Sequence, residues 1–270
     1  MIMSMKRSRL MVAGLILTSC LILGIAIIGL SMNTQNQAIV LPAEVALPGM
    51  QGQFESLTLN TDLPKSPSSI QVYSIKSIDM IQDGNGDVSM TIRKSIPSAS
   101  KAPALAEKSL EKYGGLPKDA QLVDALPRYQ YKYNLTTNSV EEKYPWQTQV
   151  RYIQILDGFP VIGATINLGL GENGEITSLV KAWPTYESRK EVKIISAEKA
   201  YEKLKVRDTT EKLQGNLPEG SKVTEVKLGY RLFDAWNSDA KDAYLKPVWI
   251  FSVTSPLDPE PFPIMVDATA

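Results

Sequence analysis

The side chains that carry most hydrolytic and metal chemistry are scarce: the 270 residues include no histidine and one cysteine, Cys20. Ser-His-Asp triads, Cys-His dyads, His-ligated zinc and the His-Glu-x-x-His peptidase pattern are therefore excluded, and no disulfide forms within one chain. Hydroxyls, amines and carboxylates remain. A serine three residues before a lysine lets the amine take the proton of a nucleophilic hydroxyl, and this spacing occurs at Ser98/Lys101, Ser109/Lys112, Ser178/Lys181, Ser196/Lys199 and Ser238/Lys241. No Ser-Asp-Asn or Lys-Thr-Gly companion completes such a site, so five matches reflect composition and no catalytic residue is assigned. Glu141 and Glu142 have the chemistry of a glycosidase acid pair, but nothing marks a cleft and they read as a solvated loop. Asp83, Asn85 and Asp87 are spaced like the first ligands of an EF-hand loop. Val88 then stands where that loop needs Gly and Lys94 where it needs a bidentate Glu, so a hairpin turn is expected, with no metal and no cofactor. Asn134-Leu135-Thr136 is a glycosylation sequon.

The elements that would position these groups follow from periodicity. Val88, Met90 and Ile92 alternate as in a strand, and Pro103 opens a helix with Ala106, Leu110 and Tyr113 on one face and Gly114-Gly115 as its stop. Arg128 to Leu135 places Tyr129, Tyr131, Tyr133 and Leu135 on one side of a strand; the row reads as the core side of a sheet, the other reading being a platform for peptide or sugar. In the second half, Val150 to Leu156, Ala164 to Leu170, Glu175 to Trp183, Thr224 to Leu232 and Leu245 to Thr254 read as strands, and Ser196 caps a helix with Ala197, Ala200, Tyr201 and Leu204 on one face. The expected fold class is α+β: a membrane helix followed by two small antiparallel-sheet-plus-helix units. The divisions are 1–9 cytoplasmic, 10–30 membrane, 31–69 a tether with Pro42, Pro48, Pro64 and Pro67, 70–147 the first unit and 148–270 the second.

Leu10 to Leu30 carries no charge and is long enough for a helix to cross the hydrocarbon core. Lys6, Arg7 and Arg9 precede it and no Lys or Arg follows until Lys65, so the start is expected in the cytoplasm and the bulk outside the cell membrane. Leu17-Thr18-Ser19-Cys20 also resembles a lipobox, with Cys20 as the lipidated residue, and a cleaved secretory signal is a third reading. Ala13, Cys20 and Gly24 fall near one helix face, where small side chains admit a neighbouring helix. With 29 Lys+Arg against 29 Asp+Glu and no basic cluster beyond the first residues, nucleic acid is not an expected partner.

Four stretches resemble the PepSY and fungalysin/thermolysin-propeptide group. Gly158, Pro160, Val161 and Gly163 lie in a G-x-P-V-x-G element, and Ser196 to Ala200 resemble the group's helix entry. Pro247 and Trp249 lie in an L-x-P-x-W strand, and Val266-Asp267-Ala268 resembles a closing element. The layout as a whole is similar to YycH/YycI-type membrane-anchored regulators. That resemblance implies a non-enzymatic single-pass protein that binds a membrane partner, a sensor histidine kinase, and contacts the bilayer through Leu10 to Leu30. The PepSY likeness implies an alternative, an inhibitor or chaperone-like module for a peptidase. The motif residues are expected to be scaffold.

Overall fold

The computed structural model describes residues 57–84, 93–211, 217–234 and 243–270. In chain order the elements are β1 (Thr58–Leu59), β2 (Ser69–Asp83), α1 (Ala102–Leu110), β3 (Ala120–Asn134), β4 (Ser139–Leu156), β5 (Phe159–Leu170), β6 (Ile176–Lys193), α2 (Ala197–Lys205), β7 (Lys222–Phe233), β8 (Tyr244–Ser255) and β9 (Asp258–Asp267). The nine strands form one sheet. β3 pairs β4 and β4 pairs β5; on its far side β5 runs first beside β7, through Val161↔Tyr230, and then beside β6, through Thr165↔Ala182. β6 continues to β2, while β7 continues to β8 and β9, with β1 parallel to the start of β7.

This corrects the expected fold class. Two α+β units, each with its own small sheet, are replaced by a predominantly β fold in which β5 serves both branches and each α-helix has only nine residues. The physical reason is non-local pairing: β2 from the first half hydrogen-bonds to β6 from the second, with Ile70 opposite Val192. No helix among the described residues is long and apolar enough to cross a membrane. The stretch Leu10 to Leu30, with Ala13, Cys20 and Gly24, lies outside the described residues, as do Val88, Met90, Ile92, Asn85, Asp87 and Ser238/Lys241.

Two helices cover two cores on this sheet. Nine-residue helices are marginal in water, so packing must hold them. α1 has Pro103 in its first turn and ends in a short 3-10 turn, Glu111–Tyr113, closed by Gly114 at φ +89°. Its Ala106 and Leu110 are buried against Val150, Ile166 and Leu168; full burial of one such leucine contributes roughly 1.5–3 kcal/mol. α2 starts at Ser196, whose Oγ accepts from the Lys199 N–H at 3.3 Å, and buries Ala197, Ala200 and Leu204 in the larger core with Trp249 and Phe251. The cap also serves the acidic first turn: a hydrogen bond donated by the Ser196 side chain to the Glu198 carboxylate lowers the pKa of Glu198.

A polar seam joins the cores. Gln154, 1% exposed, donates to Asp119 Oδ2 at 2.7 Å and to the Pro184 carbonyl at 3.1 Å, and accepts from the Tyr186 hydroxyl at 2.8 Å. Trp183 Nε1 donates to Asp119 Oδ1 at 3.1 Å. Beside it, Tyr73 donates to Asp157, the Tyr230 hydroxyl donates to the Gln71 carbonyl at 2.6 Å, and the Tyr73 ring lies 5.5 Å from that of Tyr186. Burial raises the pKa of Tyr186 and Tyr230, and the Asp119 charge adds to the effect at Tyr186.

Candidate interaction surface

β4 has 18 residues and α1 nine. At about 3.3 Å per strand residue and about 1.5 Å per helix residue, the strand must outrun its cover. Ala125 packs on the α1 core, and Pro127, Tyr129, Tyr131 and Tyr133 follow at alternate positions, so the tyrosines continue the covered face past the end of the helix. Tyr129, Tyr131 and Tyr133 are 38%, 50% and 46% exposed. The core-facing reading of this row is therefore corrected. Of the twelve exposed large hydrophobic residues among those described, eight fall between Leu122 and Val140, which makes this ribbon the main apolar surface of the described chain.

The ribbon is locally ordered by its charges. Tyr131 stands opposite Lys143, whose Nζ lies 3.9 Å from the Tyr129 ring centre and 5.8 Å from that of Tyr131, a cation–π arrangement on the tyrosine face. On the other face Lys132 Nζ lies 2.9 Å from Glu142 and 3.4 Å from Glu141, and Asn134 Nδ2 donates to Glu141 at 2.8 Å. Glu142, then Glu141, raises the pKa of Lys132; Asn134, then Lys132, lowers that of Glu141. These glutamates thus lie in β4 and not in a loop. Asn134 Oδ1 accepts from the Thr136 and Thr137 N–H groups and shapes the turn.

None of the described Ser-x-x-Lys pairs makes a nucleophile–base contact. Ser109 Oγ donates to the Gly174 carbonyl, Ser196 caps α2, and the buried amine of Lys181 meets Asp79 at 2.6 Å. Ser98 Oγ lies 3.1 Å from Ser100 Oγ, beside Lys101 on a shallow hollow. Asp83 accepts from Tyr113, which lowers its pKa.

The motif residues meet in one joint around α2. Gly158, at φ +84°, forms the β4–β5 turn with Asp157; Gly163, at φ +97°, lies where β5 changes neighbours, and a Cβ there would meet the Leu232 carbonyl at 3.1 Å. Pro160 carbonyl approaches Gly229 so closely that a Cβ at 229 would lie 2.8 Å away. Val161 is buried opposite Tyr230, and Tyr230 is opposite Pro247. Trp249 Nε1 donates to the Ile195 carbonyl at 3.0 Å, the Ile195 N–H to Ala268 at 2.8 Å, and the Ala268 N–H to Pro247 at 3.0 Å. Asp267 accepts from Thr269 N–H at 2.9 Å and lies 3.5 Å from Lys246; burial opposes its charge, but Thr269 and Lys246 prevail and its pKa is lowered. These contacts tie strand ends to a helix.

The family model described as "YycI protein" matches residues 47–257, which includes the ribbon, both helices and every strand but β9. The chain belongs to the YycI family. No curated protein matches it. YycI proteins are non-catalytic regulators associated with a sensor-kinase system and interact with other membrane regulatory proteins. In this YycI family member the exposed tyrosine row is the part that sequence reasoning placed in the core. Two signals pointed outward: Pro127 stands immediately before the alternating run, and the first part of the facing strand carries Glu141, Glu142 and Lys143, which put charge on both faces.

Proposed function

We propose that this YycI family member is a non-enzymatic regulator held at the cell membrane by Leu10 to Leu30, with its first residues in the cytoplasm and its sheet outside, and that it binds a sensor histidine kinase. The family match over residues 47–257 carries this reading. The uncharged stretch with its preceding Lys6, Arg7 and Arg9 supports the topology, and the uncovered tyrosine face supports a protein partner. Regulation then means tighter binding of one kinase state than the other; each 1.4 kcal/mol of preference shifts that equilibrium about tenfold.

The test is crosslinking of the full chain in its native membrane followed by mass spectrometry, with kinase autophosphorylation measured in vesicles with and without the chain. Capture of a sensor kinase and a changed phosphorylation rate are expected. Capture of a secreted peptidase alone, with kinase activity unmoved, would overturn the proposal.

A further inference from the structure

Among the described residues the three long outer strands, β2, β3 and β9, are not equally protected. β9 carries Pro259, Pro261 and Pro263, which cannot donate to a neighbouring strand, and β2 is irregular, its register against β6 shifting between Ser74 and Ser77; β3 from Arg128 to Asn134 has no proline and, among the described residues, pairs with β4 alone. Such an edge is a template for another strand. We infer that its occupant is the β3 edge of a second copy of this chain, antiparallel and centred on Tyr131, so that two sheets become one.

Charge and side-chain facing select this register. Directly opposed residues in an antiparallel pair share a face, so the tyrosines of two copies meet only if an odd-numbered position stands opposite an odd-numbered one. Centring on Gln130 sets Arg128 against Lys132 of the other copy, and centring on Lys132 sets that lysine against itself; like charges directly opposed are destabilising. Centring on Tyr131 avoids both. Tyr129 then faces Tyr133, Gln130 faces Lys132, and Arg128 faces Asn134. Asn134 holds Glu141 at 2.8 Å, so each Arg128, which makes no carboxylate contact among the described residues, is laid beside a glutamate of the other copy. The edge is self-complementary, cation at one end and anion at the other, as a two-fold contact requires. Pairing uses backbone groups on the edge and leaves both tyrosine faces uncovered as one continuous platform, so the dimer is independent of the kinase reading.

The test uses the purified full chain in detergent, with Cys20→Ser and single cysteines placed in turn from Arg128 to Asn134, oxidised and resolved on denaturing gels. Disulfide-linked dimer is expected to peak at Tyr131→Cys, the one position opposite itself. In the cysteine-free chain, Arg128→Glu and Glu141→Arg should each weaken the dimer roughly tenfold by sedimentation, and the two together should restore it. Circular dichroism reports whether each variant is folded, and the Tyr131→Cys result decides if a reversal variant is not. A monomer with no crosslink, a peak at Gln130→Cys or Lys132→Cys, capture of a different protein at Tyr131→Cys, or a dimer lost only on Gly24→Leu would overturn the inference.

Discussion

β3 and β7 carry rows of the same kind with opposite fates. On β7, Val226, Leu228, Tyr230 and Leu232 alternate and are all buried; on β3, Tyr129, Tyr131 and Tyr133 alternate and are all exposed. β7 has β8 along one side, β1 and β5 along the other, and the α2 core on its face, whereas among the described residues the end of β3 has β4 alone and no helix above it. Alternation therefore identifies residues that share a face; whether that face is covered depends on neighbours distant in sequence. The contrast also separates the molecule's work. The β7 side holds the joint of turn glycines, Trp249 and Ala268, and the β3 side leaves an apolar row exposed.

The sharpest way to break this comparison is to truncate one tyrosine of each row. Tyr230→Ala should cost about 3–5 kcal/mol in urea unfolding, as for other buried aromatics, while Tyr131→Ala should stay within about 0.5 kcal/mol. Equal losses would mean that the β3 row is covered in solution. A smaller effect is expected at the seam between the cores. Gln154→Leu keeps the volume but leaves the Asp119 carboxylate and the Tyr186 hydroxyl short of a partner, at a cost of about 1–3 kcal/mol in the same unfolding experiment; an unchanged midpoint would remove the seam from the account. The smallest effect concerns pH. Tyr186 and Tyr230 have pKa values raised above the unfolded value of about 10. Their neutral forms stabilise fully below that pH, and the contribution is lost as pH rises toward the folded pKa, because only the unfolded chain ionises freely. Thermal stability should therefore fall above about pH 10, and less steeply in Tyr186→Phe. A fall of the same slope in that variant would place the alkaline sensitivity elsewhere.

Several features of this chain were written locally and could be read in order. Pro103 and Gly114-Gly115 bracket α1, Ser196 caps α2, and Asp157-Gly158 makes the β4–β5 turn, because caps and turns depend on a few adjacent residues. β9 was hidden: its three prolines argue against a strand, and only its place at the edge of the sheet, beside β8, permits them.

What the amino-acid sequence determined by itself is the exclusion of histidine and disulfide chemistry, the identity of most strands and both helices, and the uncharged segment before them. The tertiary structure alone decided that β2 pairs β6, that β5 belongs to both branches of one sheet, and that the tyrosine row faces solvent. Periodicity encodes which side of its own element a residue occupies, but the partners of a strand are chosen by the global burial of every other strand, and a nine-residue helix can cover only the part of a longer strand that it reaches.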